Sequence, residues 1–582
     1  MDSAELLHEL EEDPQTVRDS DERCLALAAQ AEATARYAAQ HLDERHQIVE
    51  DLSTASSHGV WYRFGRHWSS LADSFGAHGT SVASEDSRIL LATALAKLER
   101  NLVAGIPEHQ AQAVEHEPEV RRLIFNVTSF TRIEDSHFFT LHAVLTQLLS
   151  NLISPTSGHP GADRIAEDKL ALYLSGTRED DVIIRLLDSA DPKTNIATLH
   201  LTNNVTRNSR PRLVRMLDGP GLRWVSKILG RMDDWHEAHD GRFELACGLV
   251  NSFIDQSLQS QLFASLSSPN EPISPSQTTL LKLLDSRLSD STAHIRPSSS
   301  VPNNMDNMEV DDPTHPNRFL IPVFHLLSAY AMTSMSHVPD DARLPKVFEG
   351  LVLVCEALSS IGLKVQGEKD LQVGDIGRGA EEGSDGDLIQ EMKDPEDGTG
   401  LIKPIIESIR SLDDFAPRVN PRANASNGNN NDNGSMTPNR PALPPDQARP
   451  LAQLKRNLVQ LLGILSFEDI AVGDQVREHG GIQLLLSLTE VDEANPLERP
   501  AGACPVRGEE SDAGQSGESG DHRRDGSGGG VIRDGRAAPG AREDEEAGKR
   551  GRSALRNAES ASASSLIAMH TQHMLGSRPV LP

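Results

Sequence analysis

Apolar residues recur along most of this chain at steps of three and four, the spacing of one helix face. The clearest stripe is Phe138, Leu141, Leu145, Leu148, Leu149 and Leu152, with Asp135 and Ser136 placed to cap it and Pro155 placed to stop it. Comparable stripes run over Val182–Leu187, Ile196–Val205, Leu222–Met232 and Phe243–Ile254. None alternates with the period of two that marks a half-buried strand. The spacing predicts an all-α chain of antiparallel helices joined by short polar turns. The first 50 residues are rich in Ala, Glu and Asp and poor in bulky apolar side chains, which predicts one or two solvated helices.

Three stretches break the pattern. Residues 286–317 hold Pro, Ser and Asn with few apolar anchors. Residues 375–399 carry nine acidic and two basic side chains with repeated Gly, and 416–449 include an Asn/Gly tract. None can bury enough apolar surface to offset the entropy of ordering, about 1–2 kcal/mol per residue for the backbone. All three read as disordered insertions. Helical islands lie between them at Phe319–Met335, Leu344–Leu363 and Leu401–Phe415.

Composition narrows the function classes. The formal charge of −30 argues against a general affinity for nucleic acid or anionic lipid. Cys24, Cys247, Cys355 and Cys504 are far apart, which fits a reducing compartment and neither a disulfide framework nor a zinc site. The acidic start, MDSAELLHELEEDP, lacks the apolar core of a secretory signal. The longest apolar stretch, Leu351–Leu358, is broken by Glu356 and is too short to span a bilayer. A soluble cytosolic or nuclear protein, with no membrane insertion, is expected.

The most informative segment is 450–499. Pro450 suits the first turn of a helix, and Leu451, Leu454, Leu458, Leu461 and Leu465 form its stripe. A second helix ends at Gly480 and Gly481, where a third begins at once. Glycine tolerates the left-handed backbone such a junction needs. An echo lies upstream: Met216 and Leu217, then Gly219 and Gly221, then Leu222, Val225, Ile228 and Leu229. Two such units suggest an armadillo/HEAT-like α-solenoid, in which no repeat covers its own apolar face. The segment also resembles the C-terminal signature of the Ataxin-10 domain family in its fungal form. The matching residues are Asn457, Leu461–Gly463, Gln475–Glu478, Gly480–Ile482, Leu484–Leu486, Asp492 and Asn495–Pro496. Asn126 and Asn151 fit the family's armadillo-like region more loosely. The resemblance implies a non-enzymatic cytoplasmic protein with protein partners and a role in regulating cytokinesis. Some fungal members carry a copper-transport name, but this chain lacks the paired thiols or Met clusters a soft metal takes.

The family pattern stops after Arg499. Asn495, Pro496 and Glu498 begin a helix, and Pro500, Gly502 and Pro505 then oppose it. Residues 501–582 hold 14 of the 43 Gly, which fits a reading-frame slip near Arg499 better than a natural disordered tail. An amphipathic helix encoded in another frame of the DNA is the expected finding, and its absence from every frame ends that explanation.

Other motifs favour ordinary structure over chemistry. His236, Glu237, His239 and Asp240 lack the H-E-x-x-H spacing of a zinc protease and read as an inter-helix loop. The Gly219–Gly221 turn lacks the strand and Lys-Ser/Thr of a phosphate loop. Trp61, Tyr62, Phe64, Arg66, His67 and Trp68 could stack on a base or a peptide, but packing of an N-terminal helix is the better reading. The acidic run reads as a solvated linker. Ser154, Ser268, Ser274 and Thr437 precede Pro and are candidate phosphorylation sites. Asn126 and Asn204 head N-x-Thr triplets within expected helices, where glycosylation does not fit.

The resulting layout is a helical region at 1–83, armadillo-like repeats at 84–285, a disordered linker at 286–317 and repeats at 318–365. An acidic disordered insertion at 366–400, a helix at 401–415 and a linker at 416–449 follow. The signature at 450–499 and a disordered tail at 500–582 complete it. The chain reads as a scaffold for partner proteins, not an enzyme. No catalytic, cofactor-binding or metal-ligating residue is assigned, and the protein-binding residues are not identified. The alternatives are an enzyme with a helical accessory region and an adaptor that binds basic peptide signals.

Overall fold

The computed structural model describes residues 3–54, 59–76, 83–155, 160–178, 181–293, 315–337, 341–372, 385–394, 400–415 and 445–488. Among these residues there are helices and turns and no strand. The first helices are α1 (Ser3–Glu11), α2 (Pro14–Arg18), α3 (Asp21–Gln40), α4 (Arg45–Thr54), α5 (Val60–Phe75) and α6 (Glu85–Val103). There follow α7 (Pro107–Ala113), α8 (Glu117–Val127), α9 (Phe139–Leu152), α10 (Ala162–Tyr173), α11 (Val182–Asp188) and α12 (Pro192–Thr206). Next come α13 (Arg210–Arg215), α14 (Gly219–Glu237), α15 (Arg242–Asp255), α16 (Gln259–Ser265), α17 (Pro275–Ala293) and α18 (Leu320–His337). The last are α19 (Leu344–Gln372), α20 (Asp385–Lys393), α21 (Ile402–Phe415), α22 (Pro445–Ser466), α23 (Ile470–Glu478) and α24 (Gly481–Ser487).

In the first half, two rows form in which each helix packs on the third one before it. One row runs α3, α6, α9, α12, α15, and a second runs α2, α5, α8, α11, α14. Helix α17 packs on α14, α15 and α19, and the rows resume as α19 on α22 and α18 on α21 on α23. A three-helix period is that of armadillo repeats, not of two-helix HEAT units. The fold is an all-α helical-repeat solenoid.

Local chemistry explains the rows. The α9 stripe is buried as expected, from Phe138 to Leu152. Neither expected cap bonds to it through its side chain: Phe138 is the N-cap residue, and the Asp135 carboxylate instead accepts from the backbone N–H of His137. In α12, Asp191 caps the backbone N–H groups of Lys193 and Thr194. Thr198, Thr202 and Thr206 are buried there, and each hydroxyl donates to the carbonyl four residues back at 2.7–2.9 Å, so no buried donor is orphaned.

Several sequence expectations need correction. The first 50 residues are not solvated helices. Helix α3 buries Cys24, Leu27, Ala28, Ala31, Ala35 and Ala38 and packs along α6. Small side chains let the two backbones approach, so a face thin in bulk is continuous in position. No boundary therefore falls at residue 83. Helices α17 and α19 run past their expected ends, to Ala293 and Gln372. Residues 366–400 are not wholly an insertion, because α20 buries Leu388 and Met392 beside α19 and α22. Helix α22 starts at Pro445, so Pro450 lies inside it and not at its first turn. Residues 315–317 and 400 are also described; the rest of the three expected insertions, the end of the signature from 489 and the expected tail at 500–582 lie outside the described residues.

Candidate partner-binding face

The row of longer helices is stitched together by polar side chains. Near the end of α6, Asn101 Nδ2 donates to the Ala35 carbonyl of α3 at 2.9 Å. On α9, Asn151 Nδ2 donates to the Arg100 carbonyl of α6 at 3.2 Å. On α12, Asn204 Nδ2 donates to Ser150 Oγ of α9 at 2.9 Å, and Asn203 Nδ2 donates to the Leu245 carbonyl of α15 at 2.8 Å. Lys97 on α6 pairs with Glu32 on α3 at 3.0 Å, and Arg100 donates to Gln147 on α9. The result is a polar ladder across five successive helices. Asn101 Oδ1 in turn accepts from the Arg100 guanidinium at 2.9–3.1 Å, and Glu32, Lys97, Asn151, Asn203 and Asn204 are half-buried. Burial lowers the Arg100 pKa and the Glu32 carboxylate opposes that shift.

The same device recurs in α22. Asn457 Nδ2 and Gln453 Nε2 donate to Glu356 Oε1 of α19 at 2.8 and 3.3 Å. The tetrapeptide Arg-Asn-Leu-Val occurs at 100–103 and again at 456–459, with its Asn in the ladder both times. Sequence reasoning missed the ladder, and this repeated tetrapeptide was the signal available.

Asp285 on α17 lies in the field of Glu356, and its Oδ1 is buried without a partner. Burial first, and the Glu356 charge second, push its carboxyl up to about 6. A carboxyl raised on folding favours the protonated form, so its cost grows as pH rises from the ordinary carboxylate value of 3.8 towards about 6 and is full above that. Asp285→Asn is expected to raise stability by about 1 kcal/mol at pH 7.5 after allowance for solvent screening, and to change little at pH 4. Melting curves at the two pH values check this, and an equal shift at both would refute it.

The motifs singled out in the sequence fall in separate places. His236 and Glu237 are exposed at the end of α14, the His236 ring lies tilted against Phe243, and Asp240 pairs with Arg242. Among the described residues no group of three His, Cys, Asp or Glu is arranged to hold a metal. The glycines at 219–221 form the entry of α14, capped by Asp218. Trp61, Phe64, His67 and Trp68 are buried on α5, Arg66 pairs with Asp13 at 3.0 Å, and Tyr62 is exposed. Packing accounts for that cluster. Ser274 is not an accessible phosphorylation site: it is buried, donates to the Leu266 carbonyl and accepts from the Gln277 N–H at the start of α17. Ser154 and Ser268 are half-buried, and Thr437 lies outside the described residues. Asn126 Nδ2 donates to the Ala72 carbonyl at 2.8 Å, and Asn204 is part of the ladder.

Residues 454–507 match the family model of the spinocerebellar ataxia type 10 protein domain. This match shows the Ataxin-10 resemblance. The matched segment takes in Asn457 and both junction glycines, and it runs to residue 507, past the expected end of the family pattern at Arg499. No curated protein matches the chain. A crystal structure of an engineered protein from a structural genomics consortium aligns over 85% of this chain and 96% of its own, at 12% identity and a TM-score of 0.32. Among the described residues no helix is long and apolar enough to cross a membrane.

Proposed function

We propose that this chain is a non-enzymatic scaffold that holds partner proteins against the polar ladder of its longer-helix row. The observation that supports this is the ladder itself, a run of asparagine and charged side chains repeated across successive helices. Hydrogen-bonding groups fixed at repeated spacing suit an extended partner segment. The Ataxin-10 resemblance supports a cytoplasmic role in the regulation of cytokinesis.

Arg36 and His200 are exposed on this face, Arg36 through its pairing with Glu32 and His200 one turn before Asn204. A partner census on the full-length chain is compared with the double variant Arg36→Glu/His200→Glu. The expected outcome is loss of a defined set of partners at an unchanged melting temperature. An identical set from both chains would remove the reading.

A further inference from the structure

Although the chain carries −30 overall, residues 207–231 hold seven Arg or Lys and one acidic residue, Asp218. The fold occupies five of the seven. Arg212 meets Asp163 at 3.2 Å, Arg215 meets Glu167 at 2.7 Å and Arg223 meets Asp181 at 3.1 Å. Lys227 pairs with Asp188, and Arg231 donates to the Leu187 carbonyl and Asn195 Oδ1. The other two, Arg207 and Arg210, are half-buried, and neither guanidinium has a hydrogen-bond or ion-pair partner among the described residues.

These two arginines flank one tight turn. Helix α12 ends at Thr206, Asn208 takes a left-handed φ of 52°, and Ser209 caps α13. Arg212 lies beneath the turn. It is 4% exposed, donates to the Arg207 carbonyl at 3.1 Å, and has a buried Nε with no acceptor. Guanidinium forks match carboxylate oxygens two to two, and two unpaired forks beside one turn give it a local positive excess. We propose that the α12–α13 turn docks an Asp/Glu-rich segment of a partner protein, whose carboxylates are taken by Arg207 and Arg210.

The charge balance selects this occupant. A nucleic acid or an anionic membrane needs an extended basic surface and meets the repulsion of a strongly acidic chain. A short acidic segment needs only the local excess. The inference uses side chains separate from the ladder rungs, so it stands or falls independently of the scaffold reading above.

The test is fluorescence anisotropy of a labelled Asp/Glu-rich peptide against the full-length chain. The expected result is salt-sensitive binding that weakens about tenfold or more in Arg207→Glu/Arg210→Glu. Lys346→Glu/Lys403→Glu makes the same charge change at exposed positions elsewhere and is expected to cost less than about twofold. Arg207→Gln/Arg210→Gln removes the charge while keeping bulk, and it must show the same loss whether or not the reversal disturbs folding. Absence of wild-type binding, an equal loss in the two charge-reversal variants, or tighter binding of duplex RNA or anionic vesicles would overturn the proposal.

Discussion

Glu99→Ala is expected to destabilise the chain by about 3–5 kcal/mol, because it leaves buried polar partners uncompensated. Glu99 lies on α6 and is fully buried. Its Oε2 accepts from Trp68 Nε1 on α5 at 2.6 Å, and its Oε1 meets His116 Nδ1, just before α8, at 2.7 Å. Both partners are themselves buried. Gly65 leaves the His116 ring its place, since a Cβ there would come within 3.2–3.3 Å of it. One carboxylate therefore joins α5, α6 and the approach to α8, where the two rows meet. Denaturant titration measures the loss as a lower midpoint at constant slope. A loss under about 1 kcal/mol would show that the site repacks around the missing carboxylate.

The same cluster sets a pH dependence. Burial lowers the His116 pKa, but the Glu99 carboxylate and the Trp61 carbonyl outweigh it, and the net shift is upward from 6.5. A histidine raised on folding contributes stability that is fully present below about 6.5 and is lost as pH rises through its folded value. Melting temperature is therefore expected to fall over that window in the wild-type chain. Glu99→Gln keeps the shape and an acceptor for Trp68, and it should flatten the fall.

Much of the architecture is legible in the sequence, for identifiable reasons. The α9 and α22 stripes are bulky and regularly spaced, so their buried faces can be named from residue type alone. Helix α3 hides its face in alanines, whose burial depends on how closely α6 approaches. Helix α20 hides in an acidic run because only Leu388 and Met392 are needed to anchor it. The ladder asparagines read locally as polar helix residues. Their partners lie on other repeats, as with Asn101 and Ala35 or Asn457 and Glu356, and no local pattern reveals such pairing. What survives in the sequence is repetition, and the Arg-Asn-Leu-Val pair is its plainest trace. The motifs that looked chemical, from the aromatic cluster on α5 to the glycines at 219–221, are resolved by packing.

Those glycines carry the second large effect. In both helix–glycine–helix units the junction glycine is left-handed, with φ of 50° at Gly219 and 70° at Gly480. In both, a following glycine lies against the residue five positions back. A Cβ on Gly221 would stand 2.6 Å from Met216 Cα and 3.0 Å from the Arg215 carbonyl oxygen. A Cβ on Gly481 would stand 2.8 Å from Val476 Cγ1 and 3.0 Å from both Ile406 Cδ1 and the Val476 carbonyl oxygen, so only the closest contact differs in kind from that at Gly221. The obstacle at Gly221 is backbone, which cannot swing aside, and the nearest atom at Gly481 is a side-chain methyl, which can shift. Gly221→Val is therefore expected to cost about 3 kcal/mol or more, at the upper end of overpacking penalties, and Gly481→Val about half as much. Thermal melts of the two variants measure the order, and limited proteolysis should show cleavage opening between α13 and α14 only in the first. If Gly481→Val proved the more damaging, the two turns would not share one geometry, and the repeat relation drawn from their sequences would lose its physical basis.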